Sequence, residues 1–101
     1  MNIQDDRTLQ ETRTTLSVPD VITAAKTFFA RRNSIYAAFA EKEGPTFVSL
    51  RGQGGEEVLI AAAPGADGSG TRVTGSSYLF DQQIARFFAT LPPAPAKATA
   101  P

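Results

Sequence analysis

Two glycine-rich breaks, Gly52-Gln53-Gly54-Gly55-Glu56 and Pro64-Gly65-Ala66-Asp67-Gly68-Ser69-Gly70, divide the second half of the chain into three short runs. The runs are 46–51, 57–63 and 71–79. The first sets Thr46, Val48 and Leu50 against Phe47, Ser49 and Arg51; the second sets Val58, Ile60 and Ala62 against Glu57, Leu59 and Ala61. Such period-two alternation is that of strands, whose successive side chains point to opposite faces. Links of a few turn-forming residues leave no room for a crossover helix, so neighbouring strands must run antiparallel. A three-stranded meander is therefore the element around which the rest of the chain has to be placed.

Upstream, Thr12, Thr14, Leu16 and Val18 alternate in a stretch rich in threonine, which reads as a strand over 12–18. Pro19 suits the first turn of a helix, and Asp20 lies near the positive end of its dipole. That helix carries Val21, Ala25, Phe28, Ile35 and Phe39 in one row and Ile22, Phe29 and Tyr36 in a second. Asn33-Ser34 marks a kink or restart, and Glu43-Gly44-Pro45 a stop. Downstream, Asp81 reads as the N-cap of a last helix whose Ile84, Phe87, Phe88 and Leu91 share one stripe. Pro92-Pro93 ends it, and the remainder is poor in both turn-forming and large apolar residues.

The order is then β-α-β-β-β-α: an α+β fold with a single four-stranded antiparallel sheet and two helices on one face. The domain spans 12–91, with an N-terminal extension at 1–11 and a Pro/Ala-rich extended tail at 92–101. The order resembles a shortened helix-grip fold, the layout of the pollen-allergen-like and START-type ligand-binding proteins. That resemblance implies a C-terminal helix lying across a curved sheet, and it fixes no function.

Functional classes narrow by composition. Among 101 residues, enough for one small domain, there is no cysteine and no histidine. Thiol nucleophiles, disulfides and ordinary structural zinc sites are absent, as is the side chain that most often moves protons near neutral pH. Ten basic and ten acidic residues cancel, so no overall charge excess favours nucleic acid. The start, Met1 to Gln10, is polar and acidic rather than basic-then-apolar. No apolar run is long enough to span a bilayer, and the expected location is the cytoplasm. No metal and no cofactor are expected.

Two stretches resemble sites. Leu50-Arg51-Gly52-Gln53-Gly54-Gly55-Glu56-Glu57 has the glycines of a phosphate cradle, but it joins two strands, precedes no helix and ends in two acids. It reads as a turn, with Arg51 pairing across it to Glu56 or Glu57. The two glutamates are adjacent on a strand and point apart, which does not suit an acid-base pair. Ser76, Ser77, Tyr78, Asp81, Gln82 and Gln83 could line a small polar pocket, yet a serine nucleophile there would lack a histidine base.

What remains is apolar bulk. Phe28, Phe29, Tyr36 and Phe88, with Pro92, Pro93 and Pro95 of the tail, are the candidate partner-binding residues. The expectation is a non-enzymatic protein-interaction module, a small accessory subunit docking on a larger assembly, with room for a homo-oligomer. The alternative is a carrier holding an apolar ligand between sheet and C-terminal helix. On the accessory-subunit view, deletion after Leu91 should leave the melting temperature nearly unchanged while weakening attachment to the partner.

Overall fold

The computed structural model describes residues 8–31, 37–52, 54–65, 70–77 and 81–94. Strand β1 (Thr8–Thr14) leads to helix α1 (Val18–Ala30). Strands β2 (Ala38–Gly44), β3 (Phe47–Gly52), β4 (Glu57–Pro64) and β5 (Thr71–Ser77) follow, and helix α2 (Asp81–Thr90) closes the series. The strands form one sheet in the order β1-β5-β4-β3-β2, every pair antiparallel. The first strand thus lies beside the last, and β2 forms the opposite edge.

Both helices pack on the same face of the sheet. Val48, Leu50, Val58, Ile60, Ala62 and Val73 point to that face and share one core with Val21, Ile22, Ala25 and Phe29 of α1 and Ile84 and Phe87 of α2. Phe29 meets Phe87 at a ring-centroid distance of 5.8 Å, which joins the two helices over the sheet. Helix α1 begins where Ser17 caps it: the Asp20 N–H donates to Ser17 Oγ at 3.3 Å, and Pro19 occupies the first turn. Helix α2 lies directly on β5. A Cβ added to Gly75 would sit 2.8 Å from Ile84 Cγ2 and 3.1 Å from Ile60 Cδ1, so glycine there is what allows the helix its close approach.

The sheet has five strands rather than four. The additional one, β2, occupies residues expected to continue α1, which instead ends at Ala30; the kink expected at Asn33-Ser34 lies outside the described residues. Ala38 to Lys42 are good helix formers, and nothing in Ala38–Gly44 is β-branched. The pairing of Phe39 with Arg51 and Lys42 with Ser49 overrides that propensity. A β-bulge between Ala40 and Lys42 also breaks the alternation by which a strand is recognised. Glu43-Gly44-Pro45, expected to stop a helix, enters the two-residue turn Pro45-Thr46 of a hairpin.

Strand β1 lies at Thr8–Thr14 rather than 12–18, reaching into the segment expected to be an extension. At the other end, the first tail residues join the fold. The Thr15 N–H and the Thr14 hydroxyl both donate to the Pro92 carbonyl, at 3.1 and 2.7 Å. The Ala94 N–H donates to Arg13 O at 3.3 Å, and Pro93 bridges Thr14. Thr14 is fully buried.

Candidate functional site on the bare sheet face

The faces of the sheet differ. One is filled by α1 and α2; against the other, no described element packs. The strand registers place the side chains of this bare face in rows. Leu9, Ser76, Leu59, Ser49 and Lys42 form one row across all five strands. Glu11, Thr74, Ala61 and Phe47 form the next, and Arg13, Arg72 and Ala63 the third. On the other side of the first row lie Glu57, Arg51 and Phe39.

The middle of this face is apolar or small, and its margins are charged. Leu9 is 72% exposed and Phe39 54%, at opposite edge strands, while Phe47, Leu59 and Ala61 between them are half-buried. A shallow depression of about 260 Å³ opens among Thr46, Ala61, Ala63, Arg72 and Thr74. On the β1 side Arg72 pairs with Glu11 at 3.1 Å. On the β2 side Arg51 grips Glu41 through Nε and Nη2, the shortest contact being 2.9 Å. Hydrogen bonds from Arg51 hold the Glu41 carboxyl below its ordinary value, with burial opposing and the Arg51 and Lys42 charges adding to the lowering. The same hydrogen bonds hold the Arg51 guanidinium above its usual value.

Ser49 is the exception within the apolar centre. It is only 5% exposed, and its hydroxyl has no hydrogen-bond partner among the described residues. A hydroxyl shut away from water without a partner is costly.

Among the described residues, those expected to bind a partner are divided between the core and the β1 edge of the sheet. Phe29 is fully buried; Phe28 and Phe88 are half-buried against the core, packed on the rings of Phe29 and Phe87. Pro92 and Pro93 are exposed beside β1. Tyr36 and Pro95 lie outside the described residues.

The glycine loop between β3 and β4 spends its amides on itself. The Gly52 N–H donates to Glu56 O at 2.7 Å, the Gly55 N–H to Gly52 O at 3.1 Å, and the Gly54 N–H to the Glu56 carboxylate at 3.0 Å. Gly55 has a φ of 92°, the left-handed conformation that glycine alone adopts freely. Arg51 forms its close ion pair with Glu41 on β2, a residue placed there only by the fifth strand, while the charge of Glu57 adds a weaker attraction; its Nη1 also donates to Gly55 O.

The polar stretch around β5 is divided likewise. Ser77 is buried on the helix side and Ser76 half-buried on the bare side; Gln82 is exposed, and Tyr78 and the Asp81 side chain lie outside the description. Gln83 is 4% exposed, and its Oε1 has no hydrogen-bond partner among the described residues. Among the described residues, no three acidic side chains cluster to hold a metal ion, and no helix is long and apolar enough to cross a membrane.

Of the apolar side chains of the bare face, Phe47 and Leu59 had one sequence signal, each sitting on the off-beat of a strand whose other face is core; Leu9 and Phe39 fell in segments read as an extension and a helix. Comparison with family models, with curated proteins and with solved structures finds no match.

Proposed function

We propose that this chain is a non-enzymatic protein-interaction module, a small accessory subunit that docks on a larger assembly, and that it binds through the bare face of its sheet. The supporting observation is the apolar, small-residue centre of that face, framed by the Glu11–Arg72 and Glu41–Arg51 pairs. A flat patch with an apolar middle and a polar rim has the anatomy of an interface. The aromatic side chains of the helices, by contrast, are committed to the core.

The edges of the sheet favour the face over strand addition. At β2 a bulge and the run Glu41-Lys42-Glu43 discourage pairing with another strand. At β1 the chain's own Pro92-Pro93-Ala94 occupies the end of the edge. The order β1-β5-β4-β3-β2, with first strand beside last, favours reading the fold as a shortened helix-grip. The carrier alternative would need space under α2, and the contact of Ile84 and Phe88 with Gly75 weighs against it.

A photo-crosslinking side chain in place of Leu59, compared with one in place of the exposed α1 residue Thr23, tests the proposal in cells of the source organism. Protein adducts from position 59 and none from position 23 are expected. Adducts from position 23 alone would overturn it.

A further inference from the structure

We infer that the occupant of the bare face is a second copy of this chain, packed sheet against sheet about a two-fold axis running along β4. The inference rests on the proposal that this face binds a protein, and it names the partner.

The shape of the face carries it. Strand β4 is the middle of five, with β3 and β5 on either side and β2 and β1 beyond them. A two-fold axis along β4 lays β3 of one copy over β5 of the other, keeping each cross-strand row at its own level. Phe47 stands on β3 in the row that holds Thr74 on β5. Its ring is therefore carried over the partner's depression among Ala61, Ala63, Arg72 and Thr74. The hollow runs from Thr46 beside β3 across β4 to Arg72 and Thr74 on β5, so each Phe47 ring meets the β5 end of the other copy's hollow, and the two contacts are equivalent by symmetry. Leu59, Ala61 and Glu57, on the axis, meet their own copies, and the two Glu57 carboxylates are flanked by Arg51 of each copy, which stands beside Glu57 in the register.

Charge agrees with shape. The same operation sets Lys42 of β2 over Leu9 of β1, one row from Glu11. Each copy thereby brings a lysine toward the other's glutamate, twice by symmetry, at the rim where such pairs steer and register an interface.

The area suffices. Strands about 4.8 Å apart and roughly six residues long present on the order of 500 Å² per copy before side-chain relief, or about 1,000 Å² in a pair, close to the lower bound for a specific interface. Aligned sheets of this kind pack with their strands within about 30° of one another.

The absence of cysteine makes the test clean, because one introduced thiol reports one position. Sedimentation velocity of the wild-type chain at about 100 μM should show a dimer dissociating on dilution, as expected of an interface this small. Ala61→Cys should be joined into a covalent dimer by a bis-maleimide whose reach matches the roughly 10 Å between packed sheets, a gap too wide for a direct disulfide, and Thr23→Cys should not. Ala61→Glu, which sets like charges face to face on the axis, should weaken dimerisation at least about tenfold. Lys42→Glu should weaken it about threefold, and less in high salt. If Ala61→Glu loses its circular-dichroism signature, the cysteine pair decides alone. A wild-type chain that stays monomeric would overturn the second copy as occupant; position-59 adducts of another mass would then leave the interaction module standing. A dimer that Thr23→Cys locks and Ala61→Cys does not would place self-association on the helices and overturn the inference.

Discussion

Leu59 and Ile60 are neighbours on β4, and they belong to different parts of the molecule. Ile60, with Val58 and Ala62, points under the helices and is sealed from water; Leu59, with Glu57 and Ala61, points to the bare face and is only half-buried. The helix face gathers its large side chains around Phe29 and Phe87 and includes a glycine, Gly75, so that α2 can lie close. The bare face keeps alanine, serine and threonine at its centre and places its charges in pairs at the margins. One face holds the fold together. The other contributes little to the core.

The largest effect separating the faces should come from the buried rings. Phe29→Ala or Phe87→Ala should cost about 3–5 kcal/mol in denaturant unfolding, the usual loss for a buried phenylalanine. Phe39→Ala, on the bare face, should stay within about 0.5 kcal/mol, as surface changes do. Equal costs would erase the distinction. Next, Gly75→Val should cost about 1–3 kcal/mol by overpacking against Ile84, whereas Ser76→Val, one residue along and facing the other way, should unfold like wild type.

A smaller effect is expected at the tail. Truncation after Leu91 removes the Pro92 carbonyl that accepts from Thr14 and Thr15, leaving a buried hydroxyl without its acceptor. The loss should be about 1–3 kcal/mol, seen as a lower melting temperature. An unchanged melting temperature would show that residues 92–94 lie against β1 without supporting it.

The smallest effect concerns Glu41. Its folded-state pKa is lowered, so its contribution is present above the unfolded pKa and fades as pH falls through the folded one. The pair is exposed, and the effect on stability is small. Carboxyl NMR titration should place Glu41 below the ordinary glutamate range, and Arg51→Ala should return it there. A Glu41 that titrates normally beforehand would show that Arg51 does not hold it.

Much of the fold was legible wherever alternation or helical spacing ran unbroken. Strands β3, β4 and β5 and the stripe of α2 lie within a residue or two of where their patterns put them. Strand β2 was hidden because its residues favour helix and its bulge reverses the alternation at Glu41. Strand β1 was shifted because its outer residues are polar, as an edge strand allows. The bare face was harder to see. Large aromatic side chains draw attention to helices, yet Phe29 and Phe87 are buried, while the exposed centre consists of small residues that no composition rule marks. Recognising it needs the registers, which bring Leu9, Leu59 and Ser49 into one row from three strands.

The most direct measurement pairs Leu59→Ala with Ile60→Ala and records two quantities for each: unfolding free energy at high dilution, and dimer dissociation constant at a concentration where the chain is folded. Ile60→Ala should lose about 2–5 kcal/mol of stability and keep its dissociation constant; Leu59→Ala should lose about 1 kcal/mol or less and dimerise about tenfold more weakly. If Leu59→Ala leaves association untouched while Ile60→Ala weakens it, the division of labour between the two faces of β4 is wrong.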